Sequence, residues 1–403
     1  MPALVRVLAT VVPVFVLSAC GGGGGGNGTT SDHSPAAVQA ANPPLSAAAQ
    51  LGEKIFSDVS LSASGLQSCA TCHNPANAHA GTDGLSVPLG GVTMNVQGFR
   101  NAPSLNYASF TPAFFFASDG TPTGGFNRDG RATDLIDQAS RPFLAAHEMA
   151  NGTAAAVSAK LQAAAYVSEF RALFGASIFD NPDDAFQRAR YALAQYEKES
   201  IEFRPFTSKY DYFIEGKAQL TAQELHGLQL FNDPTKGNCA GCHPSARLAD
   251  GTHPMFTDFT YDNLGVPRNT SIAANNDPTY YDLGLCGPDR TDLTNRTDLC
   301  GAFKVPTLRN IALTAPYFHN GQFATLREAL EFYVQRDTNP EKWYPVTGSG
   351  IEKFNDLPPQ YRRNVNTTEV PYNRTLGDAP ALDDAEITDL IAFLNTLTDG
   401  YTP

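Results

Sequence analysis

The sequence lacks the features of a nucleic-acid-binding or membrane-spanning protein. Its 403 residues include 28 Lys and Arg against 41 Asp and Glu, a formal net charge of −13, and the basic residues form no cluster. Phosphate backbones are bound by concentrated positive charge, so we expect no nucleic-acid partner. The sequence also lacks an apolar run of about 18 residues, the length that a conventional membrane-spanning helix needs.

Cysteine is scarce, but its positions are informative. Two Cys-x-x-Cys-His strings are present, and their functional residues are Cys69, Cys72, His73, Cys239, Cys242 and His243. In such a string the two thiols bond covalently to haem vinyl groups, and the histidine supplies a nitrogen ligand to the iron. The alternatives are a zinc site, which needs two more ligands close by, and a redox dithiol, which needs no histidine. The two strings therefore predict two haem c groups.

The N-terminal segment has the pattern of an export signal. Residues 1–19 contain one basic residue followed by an apolar stretch and small residues, and Cys20 comes next. This pattern resembles the bacterial lipoprotein signal, which predicts lipidation of Cys20; an ordinary secretion signal with an incidental cysteine is the alternative. Gly21, rather than an aspartate, follows, and by the same resemblance it favours the outer membrane. We expect a periplasmic protein whose only membrane contact is this lipid anchor.

Helical patterns predict a mainly α fold with long loops. Residues 46–56, 154–174 and 182–200 are expected to be helices, as are the segment opened by a capping box at Thr221 and the apolar stripe over 383–397. The Gly-rich residues 20–44 are predicted to form a flexible tether. Since each string can organise its own domain, we predict two cytochrome c-type domains, each with one covalently bound haem c, over residues 45–205 and 206–403.

Two further cysteines, Cys286 and Cys300, belong to neither string. In an oxidising periplasm they are expected to form a disulfide that closes a loop of about 15 residues and contributes about 3 kcal/mol in the chain-entropy model. A reactive thiol pair is the alternative.

The order of several short motifs resembles the bacterial di-haem cytochrome c peroxidases and the related MauG enzymes. The resemblance covers about residues 45–337 and resumes at 383–398. Its motifs are Leu61-Ser62, Arg100-Asn101-Ala102-Pro103-Ser104-Leu105, Asp129-Gly130-Arg131-Ala132, Gln138-Ala139, Glu148-Met149, Phe303-Lys304-Val305-Pro306-Thr307-Leu308-Arg309-Asn310 and Ala315-Pro316-Tyr317-Phe318-His319-Asn320-Gly321. On these motifs the chain is identified as a member of the family.

The resemblance implies that the first haem reacts with peroxide. It places the proton-moving carboxylate at Glu148, with Gln138 beside it; the plainer interpretations are a solvated acid and a helix-surface amide. The distal histidine of peroxidases that require prior reduction belongs in the stretch Val92-Thr93-Met94-Asn95, which contains no histidine. The first iron is therefore expected to be open to peroxide, unless Met94 or His79 ligates it.

The resemblance also implies a tyrosine ligand on the second haem. Tyr333 lies fourteen positions after His319, where peroxidases that need half-reduction have methionine and MauG-like enzymes have tyrosine. A phenolate should lower the reduction potential, whereas a thioether raises it. The alternatives are that Tyr333 is a core aromatic of an amphipathic helix, and that Met255 is the ligand.

Two further positions bear on the comparison with the family. The tryptophan usually found between the haems is replaced by Arg128, and the sequence has only one tryptophan, Trp343. The resemblance also implies one Ca²⁺, held by the Asn101 side chain and the backbone carbonyls of Thr314 and Pro316.

Three functions follow from these observations. The first is a MauG-like enzyme that reacts with hydrogen peroxide at the N-terminal haem and stores or relays oxidising equivalents through a His/Tyr-ligated second haem, acting on a protein substrate or donor. The second is an ordinary peroxidase that takes electrons from a small cytochrome or cupredoxin, with the acidic surface docking a basic donor. The third, an electron-transfer cytochrome without enzymatic activity, does not explain the pair Glu148 and Gln138.

Overall fold

The computed structural model describes residues 42–81 and 84–403. The predicted signal peptide, the lipidation of Cys20 and nearly all of the predicted tether lie outside the described residues. Pro44–Pro403 forms one compact unit, and the domain boundary after residue 205 stays a prediction. No helix among the described residues is long and apolar enough to cross a bilayer.

Helices and long loops make up most of the described chain, while the strands are short. The helices are α1 (Ala47–Ser57), α2 (Cys69–Cys72), α3 (Leu135–Gln138), α4 (Ser140–Leu144), α5 (Ala154–Ala163), α6 (Val167–Phe174), α7 (Pro182–Glu199), α8 (Lys209–Ile214), α9 (Ala222–Asn232), α10 (Leu326–Gln335) and α11 (Asp384–Asn395). The strands pair as antiparallel hairpins or ladders: β1 (Leu89–Gly90) with β2 (Val96–Gln97), β3 (Phe115–Phe116) with β4 (Pro122–Thr123), β5 (Tyr261–Asp262) with β6 (Phe303–Lys304), and β7 (Val346–Thr347) with β8 (Gly350–Ile351).

Each half of the chain has its own hydrophobic core. The first extends from Leu51 to Phe203 and is built around α1, α5 and α7; the second extends from Tyr210 to Leu397 and is built around α9 and α11. In each core, a glycine lies where the two main helices cross. A β-carbon on Gly52 would collide with the backbone of Ala192, and one on Gly227 would collide with the backbone of Asp389. These glycines therefore allow α1 to cross α7, and α9 to cross α11, in backbone contact.

One predicted helix is interrupted. The segment 154–174 forms two helices, because Ala164 adopts an extended conformation (ψ 150°) at the end of α5. The break turns Tyr166 into the core, where its hydroxyl donates to Asp58 Oδ2 at 2.7 Å. The prediction of one continuous helix there was wrong, because the buried tyrosine and its carboxylate partner favour a turn over helical continuity.

Cys286 and Cys300 form a disulfide across a sequence separation of 14. Changing both to serine should lower the free energy of unfolding by about 3 kcal/mol, because the unfolded chain regains the entropy of the open loop. Guanidinium-induced unfolding of the holoprotein would measure this change. Wild-type protein under reducing conditions should match the double variant; equal stability of variant and oxidised wild type would contradict the expectation.

Candidate active site

One cavity of about 970 Å³ is lined by residues of both Cys-x-x-Cys-His strings. The predicted residues that line it are Cys69, Cys72, His73, Gln138, Glu148, Cys239, Cys242, His243 and Tyr333, together with Asn101, Thr314 and Pro316. Residues far apart in sequence therefore converge on one space. A cavity of this volume, with a mostly apolar lining and a few polar groups, is typical of a cofactor site.

The first string forms the short helix α2, which has Ser68 as its N-cap residue. The Thr71 amide donates to the Ser68 carbonyl at 3.1 Å, and the Thr71 hydroxyl accepts from the Ser68 amide at 2.9 Å. His73 ends the helix, and its amide donates to the Cys69 carbonyl at 2.9 Å. The local sequence thus fixes both thiols and the imidazole on one side of a single turn.

His73 is oriented for ligation through one ring nitrogen. Its Nδ1 lies 3.1 Å from the His79 carbonyl oxygen and 3.0 Å from the Pro103 carbonyl oxygen, so Nδ1 carries the proton. Burial lowers the pKa of His73 to about 4, which keeps the ring neutral. The lone pair therefore resides on Nε2, as an axial ligand to iron requires.

Glu148 is held by the turn after α4. Its amide donates to the Ala145 carbonyl at 3.0 Å, and its carbonyl accepts from the Gly91 amide at 2.8 Å. Hairpin β1–β2 packs directly on this turn, since a β-carbon on Gly90 would collide with the backbone of His147 and Glu148. The hairpin thereby fixes the backbone that presents Glu148 to the cavity.

The protonation of Glu148 suits proton transfer at neutral pH. Burial raises the pKa of its carboxyl to about 7; Arg131 acts against this rise, and Asp289 adds to it. A carboxyl with this pKa exchanges a proton readily in either direction near pH 7. Gln138, the last residue of α3, lines the same cavity. The structure thus brings the two residues of the predicted pair into one space with the first string.

The second string is organised in a similar way. It forms a 3₁₀ turn over Cys239–Gly241, preceded by Asn238 in the left-handed conformation (φ 50°). The His243 amide donates to the Cys239 carbonyl at 2.8 Å, and its Nδ1 lies 2.7 Å from the Phe256 carbonyl oxygen. Burial lowers the pKa of His243, so here too the neutral ring has Nε2 available as a ligand.

Tyr333 faces the same cavity from α10. A capping box of Thr325 and Glu328 begins this helix, and the Tyr333 ring lies 5.5 Å from that of Phe318. Within residues 42–81 and 84–403, no hydrogen-bond partner is found for the Tyr333 hydroxyl. Burial raises the pKa of Tyr333, and the nearby thiols of Cys239 and Cys242 raise it further. Tyr333 is half-buried at the cavity wall, where a phenol oxygen without a partner is unfavourable unless another group, such as a ferric iron, takes it up.

The alternative ligands occupy other places. Met94 has a left-handed backbone (φ 57°) in the β1–β2 turn and is not among the residues that line the cavity. The His79 ring is buried, stacked on Phe203 at 4.0 Å, with Nδ1 2.7 Å from Asn106 Oδ1. Met255 does line the cavity, but it precedes Phe256, whose carbonyl binds the far nitrogen of His243. It therefore lies on the His243 side.

The motif residues Arg100, Asp129 and Arg131 form a buried ion network. Asp129 Oδ2 accepts from Arg100 Nη1 and from Arg131 Nη1, both at 2.7 Å. Arg100 also makes a two-point ion pair with Asp282, at 2.6 and 2.7 Å. Sequence reasoning did not find Asp282, because no local pattern links it to Arg100.

Arg128 and Asn101 are joined directly. The Arg128 Nη2 donates to Asn101 Oδ1 at 2.7 Å, and its Nε donates to the Asn101 carbonyl at 3.0 Å. Asn101 and Pro316 line a second cavity of about 20 Å³, whereas Thr314 lines only the main one. Calcium binding at the three predicted residues stays a prediction. Both Asn101 oxygens accept hydrogen bonds from the Arg128 guanidinium.

Sequence reasoning also missed Glu197, a buried acid on α7 that lines the cavity. Its exposed fraction is 5%, and its Oε2 has no hydrogen-bond partner among the described residues. Burial raises the pKa of Glu197 to about 8, and Lys198 offsets only part of this effect. The signal was its spacing: Glu197 follows the core residue Leu193 by four positions and so lies on the buried face of the helix.

Changing Glu197 to glutamine should stabilise the protein increasingly as pH rises. The folded pKa of about 8 exceeds the ordinary value of 4.5, so the contribution of this carboxyl to the stability of the wild type falls as pH rises between these values. The amide variant lacks this contribution. The difference in unfolding free energy should grow by up to about 1.4 kcal/mol per pH unit. Denaturant unfolding at pH 5 and pH 8 would measure it. Glu53→Gln, at an exposed position of α1, should show no such trend; a pH-independent difference for Glu197→Gln would contradict the expectation.

The residues present fit haem c better than zinc. No group of three or more His, Cys, Asp or Glu comes together as a metal cluster within the part of the chain that the structure describes. A structural zinc ion needs four such ligands. Two thiols, a neutral imidazole and a large apolar space are what covalent haem attachment requires at each string.

Comparison with known proteins agrees with this arrangement. Residues 46–219 match the family described as di-haem cytochrome c peroxidase. The methylamine utilization protein MauG of Paracoccus denitrificans (strain Pd 1222) is 39% identical, over 90% of this chain and 92% of that protein. Cytochrome c551 peroxidase of Nitrosomonas europaea is 32% identical, over 75% of this chain and 78% of that protein. The crystal structure of the diheme peroxidase BthA from Burkholderia thailandensis E264 superposes with a TM-score of 0.82 at 38% identity, covering 89% of this chain and 87% of that chain.

Proposed function

Because the chain belongs to the di-haem cytochrome c peroxidase family, we propose that it reacts with hydrogen peroxide beside the first string and keeps the oxidising equivalents for a protein substrate or donor. It is a haem-dependent, peroxidase-like oxidoreductase. The finer, MauG-like assignment rests on one observation: Glu148 and Gln138 share the cavity with the first string, while Tyr333 lies near the thiols of the second string and has no hydrogen-bond partner for its hydroxyl among the described residues.

Haem c, when bound, supplies the iron at which the oxygen–oxygen bond of peroxide is broken. Glu148 would accept a proton from one oxygen of the peroxide and return it to the other oxygen, which would leave as water. The Gln138 amide group can donate a hydrogen bond to the same substrate. His73 stays neutral and orients its Nε2 through the two carbonyls at its Nδ1.

Tyr333 sets the character of the second site. Together with His243, Tyr333 would hold the second haem as a phenolate, and it would stabilise the oxidised side of the redox couple because a hard negative ligand favours higher charge on iron. Such a site retains oxidising equivalents instead of accepting an electron from a donor. This property supports the MauG-like function over an ordinary peroxidase, which reduces peroxide with electrons from a cytochrome.

Rapid mixing of the fully ferric holoprotein with one equivalent of hydrogen peroxide tests the proposal. Visible and near-infrared absorption should change promptly and then persist, because the first site is open and the second retains the oxidising equivalents. If nothing happens until one electron has been supplied, a ligand blocks the first iron and the MauG-like proposal fails.

An ordinary peroxidase is the second candidate. The likeness to cytochrome c551 peroxidase and the net charge of −13, which suits docking of a basic electron donor, both favour it. Steady-state turnover with a small basic cytochrome, after half-reduction, would be its signature. Under either function we propose a periplasmic protein, anchored by a lipid at Cys20.

A further inference from the structure

The Asn101 oxygens are directed at a cation that the chain itself provides. The resemblance to the family implies calcium at Asn101, and calcium requires six to eight oxygen ligands at close range. Both oxygens of this residue instead accept hydrogen bonds from one guanidinium, that of Arg128, at 2.7 and 3.0 Å. Asn101 is buried, so no water replaces this contact from outside. The donor set, as arranged here, does not fit a calcium ion.

The local charge also disfavours a second cation. Arg128 makes no ion pair with a carboxylate among the described residues. Burial lowers the pKa of Arg128 to about 10, the positive charge of Arg100 lowers it further, and Asp282 offsets part of this effect; the group remains charged near pH 7. Lys304 adds a third positive group: its Nζ donates to the Gly125 carbonyl, and burial together with Arg128 lowers its pKa to about 8, although Asp129 acts against this change. A divalent ion at Asn101 would add two charges to this set, in a buried place where repulsion is strong.

The backbones of Arg128 and Asn101 also contact loops of the second half of the chain. The Arg128 carbonyl accepts from the Lys304 amide at 2.8 Å, and the Asn101 amide donates to the His319 carbonyl at 2.8 Å. The guanidinium thus lies in a chain of contacts that links loops of the first half to loops of the second. All four residues line the cavity that holds both strings.

We propose that the Arg128 guanidinium takes the place of a calcium ion at Asn101, so that this chain needs no bound calcium. This inference rests on the Asn101 contacts and not on the proposed reaction with peroxide. The small cavity shared by Asn101 and Pro316 has room for about one water molecule or ion, so loss of the guanidinium would leave a site that calcium can enter.

The first test is the metal content of the purified holoprotein. After dialysis against calcium-free buffer, mass spectrometry should find far less than one calcium per chain. A calcium chelator should leave the visible spectrum, the electron paramagnetic resonance spectrum and the thermal unfolding midpoint unchanged. One calcium per chain that survives dialysis, or spectra that change with the chelator, would overturn the proposal.

The second test is the variant Arg128→Met, which keeps the length of the side chain but not its charge. It should bind calcium in titrations with CaCl₂ alone, and its unfolding midpoint should rise with calcium concentration, as ligand linkage requires. Arg128→Lys keeps the charge and should behave as wild type does, and Arg188→Met, at an exposed site on α7, should gain nothing. A folded Arg128→Met that binds no calcium would overturn the replacement. If that variant does not fold, the metal content of wild type and of Arg128→Lys decides.

Discussion

Replacing Glu148 with glutamine should slow the reaction with hydrogen peroxide by about 10²–10⁴-fold while both haems stay attached. Glutamine keeps the size of the side chain but cannot accept a proton from the inner peroxide oxygen. The second-order rate constant from stopped-flow absorption of the ferric holoprotein would measure the loss. The pyridine haemochrome spectrum would verify that two haems remain per chain.

The same variant should lose a pH dependence that the wild type has. Burial raises the pKa of Glu148 to about 7, and only the carboxylate form can take up the proton. The wild-type rate constant should therefore rise with pH through this region and then level off, whereas the Glu148→Gln profile should be flat over the same range. Glu53→Gln is a matched control at an exposed site and should keep both rate and profile. An unchanged rate in Glu148→Gln would refute the proton-transfer role.

Much of this site could be predicted because the residues that carry its chemistry belong to short sequence motifs. Each Cys-x-x-Cys-His string of this chain forms a single turn, so the grouping of its thiols and imidazole follows from the local sequence. Glu148 and Gln138 were placed by family resemblance, and the structure brings both to the cavity of the first string. The helices α7, α9 and α11 likewise follow capping and periodicity to within a few residues.

The remainder depends on contacts between distant segments. Nothing near Arg128 indicates that its guanidinium reaches Asn101, and nothing near Arg100 indicates Asp282. The break after α5 arises because Tyr166 reaches Asp58, over a hundred positions earlier. Glu197 is different: its helical spacing from Leu193 was readable in the sequence. An acidic residue such as Glu197 on the apolar face of a helix is a signal that a search for known motifs does not detect.

Replacing Tyr333 with phenylalanine should change the second haem and leave the first intact. Without the phenol oxygen, the opposite face of the His243-bound site is left to water or to no ligand at all. The Tyr333→Met variant offers a thioether at the same position, and its reduction potential should rise by on the order of 0.1 V, within the roughly 0.8 V range that axial ligands set. Spectroelectrochemical titration of the holoprotein would resolve the two potentials.

Tyr372→Phe supplies the matched control, because this second buried tyrosine lies with its ring 6.0 Å from that of Tyr333. It removes a hydroxyl from the same aromatic neighbourhood, so it should leave the ligand spectrum and the potential nearly unchanged. If Tyr333→Phe behaved as Tyr372→Phe does, the tyrosine would be a packing residue and the proposed His/Tyr ligation of the second haem would be refuted. If only the Tyr333 variants shift the potential and shorten the life of the peroxide-oxidised protein, the Tyr333 hydroxyl is the one the second haem uses. Retention of oxidising equivalents is then a property of one phenol oxygen and not of the aromatic cluster around it.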